Sequence, residues 1–240
     1  MLAQWLTTSN YTVVLTGAGM STESGLLDFR SAQAGLWNTK NPQQLASTYA
    51  LKYNREEFIA FYQYRIRTLQ QCNPHAGHLI LAEWEKRGIV QNIITQNVDG
   101  FHQQAGSQNV IELHGSLRTV HCQQCHQAHA SDMYINEEFH CACGGFLRPS
   151  VVLFGESLPA KAIENAWSAA QKADLLIVLG SSLQVSPANQ LPLIAKRNGA
   201  KLVIVNMEPT EADNWADLVI HHRKIGEVLK EIDNELKDGE

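Results

Sequence analysis

The stretch "VVLTGAGMSTESGLLDFRS", residues 13–31, joins a short apolar run to a glycine turn and then to an Asp-Phe-Arg trio. Val13-Val14-Leu15 is β-prone, and Gly17-Ala18-Gly19 behind it lets the backbone turn tightly, present its N–H groups and open a helix. A strand, a glycine turn and a helix in that order seat a phosphate without any basic side chain, because a helix N-terminus carries unpaired donors and partial positive charge. The pattern here reads G-A-G-M-S-T, without the third glycine of the dinucleotide fingerprint. Taken alone it is equally an ordinary tight strand-to-helix turn.

Further apolar runs follow at 89–95, 110–113, 175–179, 202–206 and 218–220, each closed by a polar or glycine break. Between them, "HAGHLILAEWEKRG", "AIENAWSAAQKA" and "LPLIAKRNGA" carry apolar residues at helical spacing. Strand and helix in alternation predict a doubly wound α/β fold, a parallel Rossmann-like sheet covered on both faces. Residues 31–74 read as loop and helix without a strand, and residues 119–147 hold cysteines and little core. Both are expected to be insertions, one helical and one metal-binding, that form a smaller lobe within a single 1–240 catalytic domain. The tail "KIGEVLKEIDNELKDGE" reads as a final amphipathic helix.

A chain of 240 residues suits one full α/β domain with a small insert. Its net charge of -5 and pI near 6.1 give no electrostatic reason to bind DNA, RNA or an anionic membrane. The opening "MLAQWLTTSNYTV" has no basic region or cleavage site, and no apolar stretch reaches spanning length. The expectation is a soluble cytoplasmic protein with neither nucleic acid nor membrane among its partners; its oligomeric state is not legible.

Four of the five cysteines form two close pairs, Cys122-x2-Cys125 and Cys141-x-Cys143, fifteen residues apart. In a reducing cytosol such pairs favour a tetrahedral thiolate zinc site over disulfides. The Cys-x-Cys bite is tight, and Gly144-Gly145 gives the backbone freedom to make it. His121, His126, His129 and His140 lie close by, so a set of three cysteines and one histidine stays open beside the four-cysteine set. Four ligands leave no position for a reacting group, and the predicted role is one structural zinc per chain. Cys72, alone before Asn73-Pro74, reads as a small apolar residue.

The other chemistry-bearing residues gather at predicted strand ends, where ligands bind in open parallel sheets. Gln96, Asn97 and Asp99 follow one run, His114 another, Gly180-Ser181-Ser182 a third and Asn206 a fourth. Asn97 and Asp99 are equally suited to capping a helix, and a lone histidine is commonly structural. A shared edge with the glycine turn instead points to ribose and phosphate oxygens and to a histidine general base.

As a set these residues resemble the sirtuin family of NAD-dependent protein-lysine deacylases. The likeness rests on Gly17-Ala18-Gly19-x-Ser21 through Gly25, Asp28-Phe29-Arg30, Thr95-Gln96-Asn97-Val98-Asp99, His114-Gly115, the cysteine pairs, Phe154-Gly155-Glu156, Gly180-Ser181-Ser182 and Asn206. The resemblance implies NAD held by Gly17, Ala18, Gly19, Ser21, Thr22, Asp28, Phe29, Arg30, Gln96, Asn97, Val98, Asp99, Gly180, Ser181, Ser182, Asn206 and Ile225. It implies that Gln96, Asn97 and Asp99 line the nicotinamide pocket, that Phe29 shields the sugar from water, and that His114 is the general base activating a ribose hydroxyl. An acylated protein lysine is the implied substrate, lying extended between Val152, Phe154, Gly155 and Glu156 on one side and Val185 on the other. Leu27 stands where the family has proline, which frees the backbone of that loop.

Two rival functions use the same residues. An NAD glycohydrolase or ADP-ribosyltransferase would deliver the sugar to water or to a side chain, and a zinc-ribbon binding module would lack catalytic groups, whereas His114 and Asn97 are present. Within the family, Tyr62 and Arg65 share a face of a helix-like run. With Ala46 they resemble the branch that removes succinyl and malonyl groups, in which such a pair binds the distal carboxylate.

Overall fold

The structure, a computed structural model, describes residues 1–29, 35–38 and 41–239. In chain order its strands are β1 (Thr12–Thr16), β2 (Asn92–Thr95), β3 (Val110–Glu112), β4 (Gly115–Cys122), β5 (Ala128–Ala130), β6 (Leu147–Val151), β7 (Leu175–Leu179), β8 (Lys201–Asn206) and β9 (Leu218–His221). Six of them form one parallel sheet in the order β3-β2-β1-β7-β8-β9, so the winding reverses between β1 and β7, and a crevice opens there at the carboxyl edge. β1 and β7 are buried at every position, as strands covered on both faces must be.

The helices Leu2–Thr8, Ala76–Lys86 and Ile225–Asp238 cover one face, where Leu81, Trp84, Val228, Leu229 and Ile232 meet Val14, Ile93 and Val205. On the other face, Ala160–Lys172 and Leu191–Arg197 pack on Val13, Leu15, Val178 and Ile204. The first of these meets the sheet through Ala166, Ala169 and Ala170, which lets its axis lie close to the strands. The tail helix buries Val228, Leu229, Ile232 and Leu236, a stripe at three- and four-residue spacing.

The smaller lobe is built on an antiparallel sheet in the order β5-β4-β6. That sheet runs from 115 to 151, four residues beyond the predicted insert at each end. The expectation that this insert holds little core is corrected. Leu117, Val120, Tyr134, Leu147 and Val151 pack with Ala50, Phe58, Phe61, Tyr62 and Ile66 from the helical insert, forming a third core. The two insertions, far apart in sequence, share one apolar interior.

The helix expected after the glycine turn is a 3-10 helix, Ala18–Ser24, closed by Gly25 in the left-handed region at φ 94°. Seven residues of 3-10 geometry supply little macrodipole, so the phosphate-seat argument shifts from helix charge to the shape of the loop.

Candidate active site and metal centre

At the reversal point two glycine loops cross backbone on backbone. The Gly17 amide donates to the Leu179 carbonyl at 3.0 Å and the Gly19 amide to the Gly180 carbonyl at 2.9 Å. A Cβ on Gly17 would lie 2.7 Å from the Gly180 oxygen, and one on Gly19 would lie 2.8 Å from Gly180 Cα. Gly180 itself has φ 62°, and any side chain there would strike Met20 and Gly19. These glycines are therefore required by each other, a reason the local pattern G-A-G does not disclose.

The crossing forms the floor of a cleft of about 1190 Å³. Every described residue assigned from the sequence to catalysis, NAD or substrate lies on its lining. Arg30 falls outside the described residues. Residues not anticipated also line it, among them Glu23, Met207, Glu208 and Lys224.

Within the cleft the polar groups hold one another. Asn97 Nδ2 donates to the Gly17 carbonyl at 3.0 Å and to Ser21 Oγ at 3.2 Å, which fixes the amide's orientation. Ser21 Oγ donates to Asp99 Oδ2 at 2.8 Å, and the Phe101 amide donates to Asp99 Oδ1 at 3.0 Å. Asp99 thus caps the turn after β2 while facing the cleft, so the capping and binding roles coexist. Burial pushes its carboxyl above the ordinary aspartate range, with the Phe101 amide, Ser21, Arg65 and Arg118 offsetting only part of that. Gln96 Nε2 donates to Ser181 Oγ at 2.9 Å, joining the β2 and β7 loops.

His114 Nδ1 lies 2.8 Å from the Gln96 carbonyl oxygen. A carbonyl only accepts, so Nδ1 carries the proton and Nε2 is the basic nitrogen. Beneath Asn97, Thr95 Oγ1 accepts its amide at 3.0 Å and receives the Thr16 hydroxyl at 2.8 Å, while His102 Nε2 contacts Thr16 Oγ1 at 3.0 Å. Burial holds His102 down at about 3, so it stays neutral at physiological pH.

The mouth of the cleft belongs to the smaller lobe. Ala46 and Tyr62 are buried there, and burial pushes the Tyr62 phenol up to about 12, keeping it a hydroxyl donor. The Arg65 guanidinium sits 5.0 Å from the centre of the Phe29 ring. Exposed Leu27 lies on the same rim.

Along residues 152–156 much of the backbone is already engaged. The Val152 amide donates to the His114 carbonyl, and the Phe154 amide and carbonyl bond to Ala46 and Thr48. Glu156 reaches the cleft, yet its carboxylate grips buried Arg148 through both oxygens, at 2.5 and 3.0 Å, and accepts the Leu153 amide at 2.8 Å. Its side chain braces the loop that lines this part of the cleft. Ser182 and Val185 are half-buried on the opposite wall. Thr22 turns its hydroxyl back to the Gly19 carbonyl at 3.0 Å, and the amide of Gly226, beside buried Ile225, donates to Glu23 at 2.8 Å. A bond between residues 203 apart has no signal in the sequence.

In the smaller lobe the four thiols of Cys122, Cys125, Cys141 and Cys143 lie within 4.8 Å of one another. Cys122 and Cys143 sulfurs are 3.5 Å apart and those of Cys125 and Cys141 3.7 Å. A zinc tetrahedron with bonds of about 2.3 Å has edges of about 3.8 Å, so the donor set fits zinc. The amides of Cys125 and Gln124 point at Cys122 Sγ at 3.5 and 3.4 Å and help bring its thiol down to about 6. Among the described residues the cluster is made of cysteines alone; His129 stands beside it, with Nε2 3.5 Å from Cys141 Sγ. Gly144 takes φ 85°, and a Cβ on Gly145 would strike Cys122 Sγ.

A sheet wound in this order, a polar cleft at its reversal point and a four-thiolate lobe alongside define a nucleotide-binding α/β protein with a zinc-ribbon module. The sequence profile of the Sir2 family matches residues 17–187, and the chain belongs to that family. It is 68% identical over 237 residues to NAD-dependent protein deacetylase 1 of Geobacillus kaustophilus, covering 99% of this chain and 98% of that protein. Among solved structures, a Sir2 variant with a deacetylated p53 peptide and 3'-O-acetyl ADP ribose superposes with TM-score 0.92 at 37% identity, covering 98% of this chain and 96% of that one. Sir2Tm bound to a propionylated peptide superposes with TM-score 0.88 at 38% identity, covering 98% and 96%. No described helix is long and apolar enough to cross a membrane.

Proposed function

We propose that this chain is an NAD-dependent protein-lysine deacetylase whose reach extends to larger acyl groups, succinyl and malonyl among them. The observation that carries the reading is the convergence of His114, Asn97, Asp99, Ser21, Gln96, Ser181 and Asn206 on one cleft at the sheet's reversal point. When bound, NAD supplies a glycosidic bond whose cleavage releases nicotinamide and leaves a sugar able to accept the acyl group. Asn97 and Asp99, locked to Ser21 and Gly17, orient the nicotinamide end. Phe29 covers it from the mouth and keeps water out. His114 takes the ribose hydroxyl proton at Nε2, with Nδ1–H held on Gln96. The peptide enters between residues 152–156 and Val185, using the Val152 carbonyl and the Gly155 backbone, while the Val152 amide stays on His114. With one water consumed to free the lysine, the products are free lysine, nicotinamide and O-acyl-ADP-ribose, and zinc on the four cysteines is structural. The cytoplasm, where thiols stay reduced, suits that site.

The test is nicotinamide release from NAD by the purified protein with an acetyl-lysine peptide and with its unmodified twin. Release with the acetylated peptide alone, with the acetyl group recovered on ADP-ribose, is the expected result. Release without any peptide would make the protein a glycohydrolase, and ADP-ribose left on protein would make it a transferase.

A further inference from the structure

The loop after β8 forms one wall of the cleft through Asn206, Met207, Glu208 and Pro209. His221, the last residue of β9, stands beside Asn206 in the parallel register. Its Nδ1 is 3.0 Å from the Asn206 carbonyl oxygen and its Nε2 is 2.8 Å from Asp213 Oδ2. Asp213 is held as an acceptor by the Thr210 amide at 3.0 Å and the Thr210 hydroxyl at 2.6 Å. A carbonyl and a carboxylate have no proton to give, so both contacts are hydrogen bonds together only when the ring carries two protons. A doubly protonated ring ties the start of the loop, at residue 206, to its far end, at residue 213.

We propose that His221, as an imidazolium, is a positioning residue that fixes the 206–213 wall for the dinucleotide, and that binding weakens as this ring loses its proton. The inference rests on the NAD reading above. Asp213 is the charged group facing the ring from the turn after β8, and β8 itself offers only the Asn206 carbonyl. On its own strand end the neighbours are His222, with ring centroids 6.0 Å apart, and Arg223, which is paired with Glu231 at 2.9 Å. Burial works against the charged ring, and the Asn206 carbonyl and Asp213 more than offset it, raising its pKa above the ordinary histidine value. For a raised pKa the tie is complete below the ordinary value and is lost as pH rises through the folded one.

Calorimetric titration with ADP-ribose separates this from catalysis, because the probe cannot turn over. The dissociation constant is expected to rise about three- to tenfold from about pH 6 to about pH 9, the scale of one lost charge-assisted hydrogen bond. In His221→Gln, which has no proton to lose, binding should be weaker at the lower pH and show no such rise. Without ligand, the His221 ring resonances should titrate above the ordinary histidine range, and Asp213→Asn should bring that midpoint down whether or not the glutamine variant folds. A pH-independent wild-type constant, the same slope in His221→Gln, or an ordinary ring midpoint would overturn the proposal while leaving the dinucleotide reading intact. Failure of the wild type to bind ADP-ribose at any pH would overturn the dinucleotide reading, and the proposal with it.

Discussion

His114 lines the cleft with its Nδ1–H held on the Gln96 carbonyl, and that anchoring separates its role from binding. His114→Ala should lower deacetylation by roughly 10²–10⁴-fold, the usual contribution of a general base, while leaving ADP-ribose affinity within about twofold. Turnover near that of the wild type would remove the assignment. Arg65 carries the question of acyl preference. Its guanidinium stands over Phe29 and is attracted by the Asp99 carboxylate, so it has structural partners as well as a view of the cleft. Arg65→Met should cost about 1.5–3 kcal/mol in transition-state stabilisation on a succinyl peptide, the scale of a lost charged hydrogen bond, and far less on its acetyl twin. Equal losses in kcat/KM on both peptides would make Arg65 a packing residue of the loop that carries Phe29. Glu156 marks the limit of reading at this scale. In a Phe-Gly-Glu motif beside the substrate groove its charge invites a ligand, and only the folded chain shows Arg148 taking both oxygens.

At the scale of elements, the main sheet and the presence of two insertions were legible, and the strands inside the second insertion were not. β1 and β7 coincide with the predicted runs because strands buried on both faces are continuous apolar stretches that end where burial ends. β4 and β6 carry charged and polar residues through much of their length, His121 and Arg148 among them, so no apolar run announced them. The 3-10 helix after β1 escaped for a different reason: its course is set by the Gly180 loop, which arrives from far along the chain. The Arg148–Glu156 pair that braces the loop after β6 has a measurable pH signature. Burial raises the Glu156 carboxyl, and Arg148 with the Leu153 amide more than offset it, so its pKa is depressed. A depressed pKa gives stability that is present above the unfolded value and lost as pH falls through the folded one. Glu156→Gln should therefore cost about 1–2 kcal/mol at neutral pH, discounted for partial exposure, and the deficit should vanish in acid. Urea midpoints at the two pH values measure this, and a pH-independent deficit would count against the pair.

For the whole molecule, the metal is tied to one lobe and the nucleotide edge to the other. Cys122 and Cys141 are buried members of the third core, so their ligation braces the packing of Val120 and Leu147 as well as the thiolate knuckles. Metal analysis should find one zinc per chain, and Cys122→Ser or Cys143→Ser should lose it and become unstable while His114 is unchanged. Hydrogen exchange should then show the smaller lobe opening before the six-stranded sheet. A folded, active protein without zinc would refute the site. The cysteine pairs made this centre readable, because ligand spacing is a local property. The cleft was readable as strand ends sharing one edge, but the bonds that lock those ends together, such as Gln96 to Ser181, were not, because they join residues far apart in the chain.

The third core has a consequence for how such a chain can be inherited. Helices from the first insertion and strands from the second supply opposite halves of one interior, so either half alone would expose its apolar face to water. Neither segment is therefore a separable module. A chimera that takes residues 41–74 from one relative and 115–151 from another must match shapes across that seam, whereas exchanging both together leaves the seam intact. The two insertions behave as one inherited unit whose pieces are stored apart along the chain.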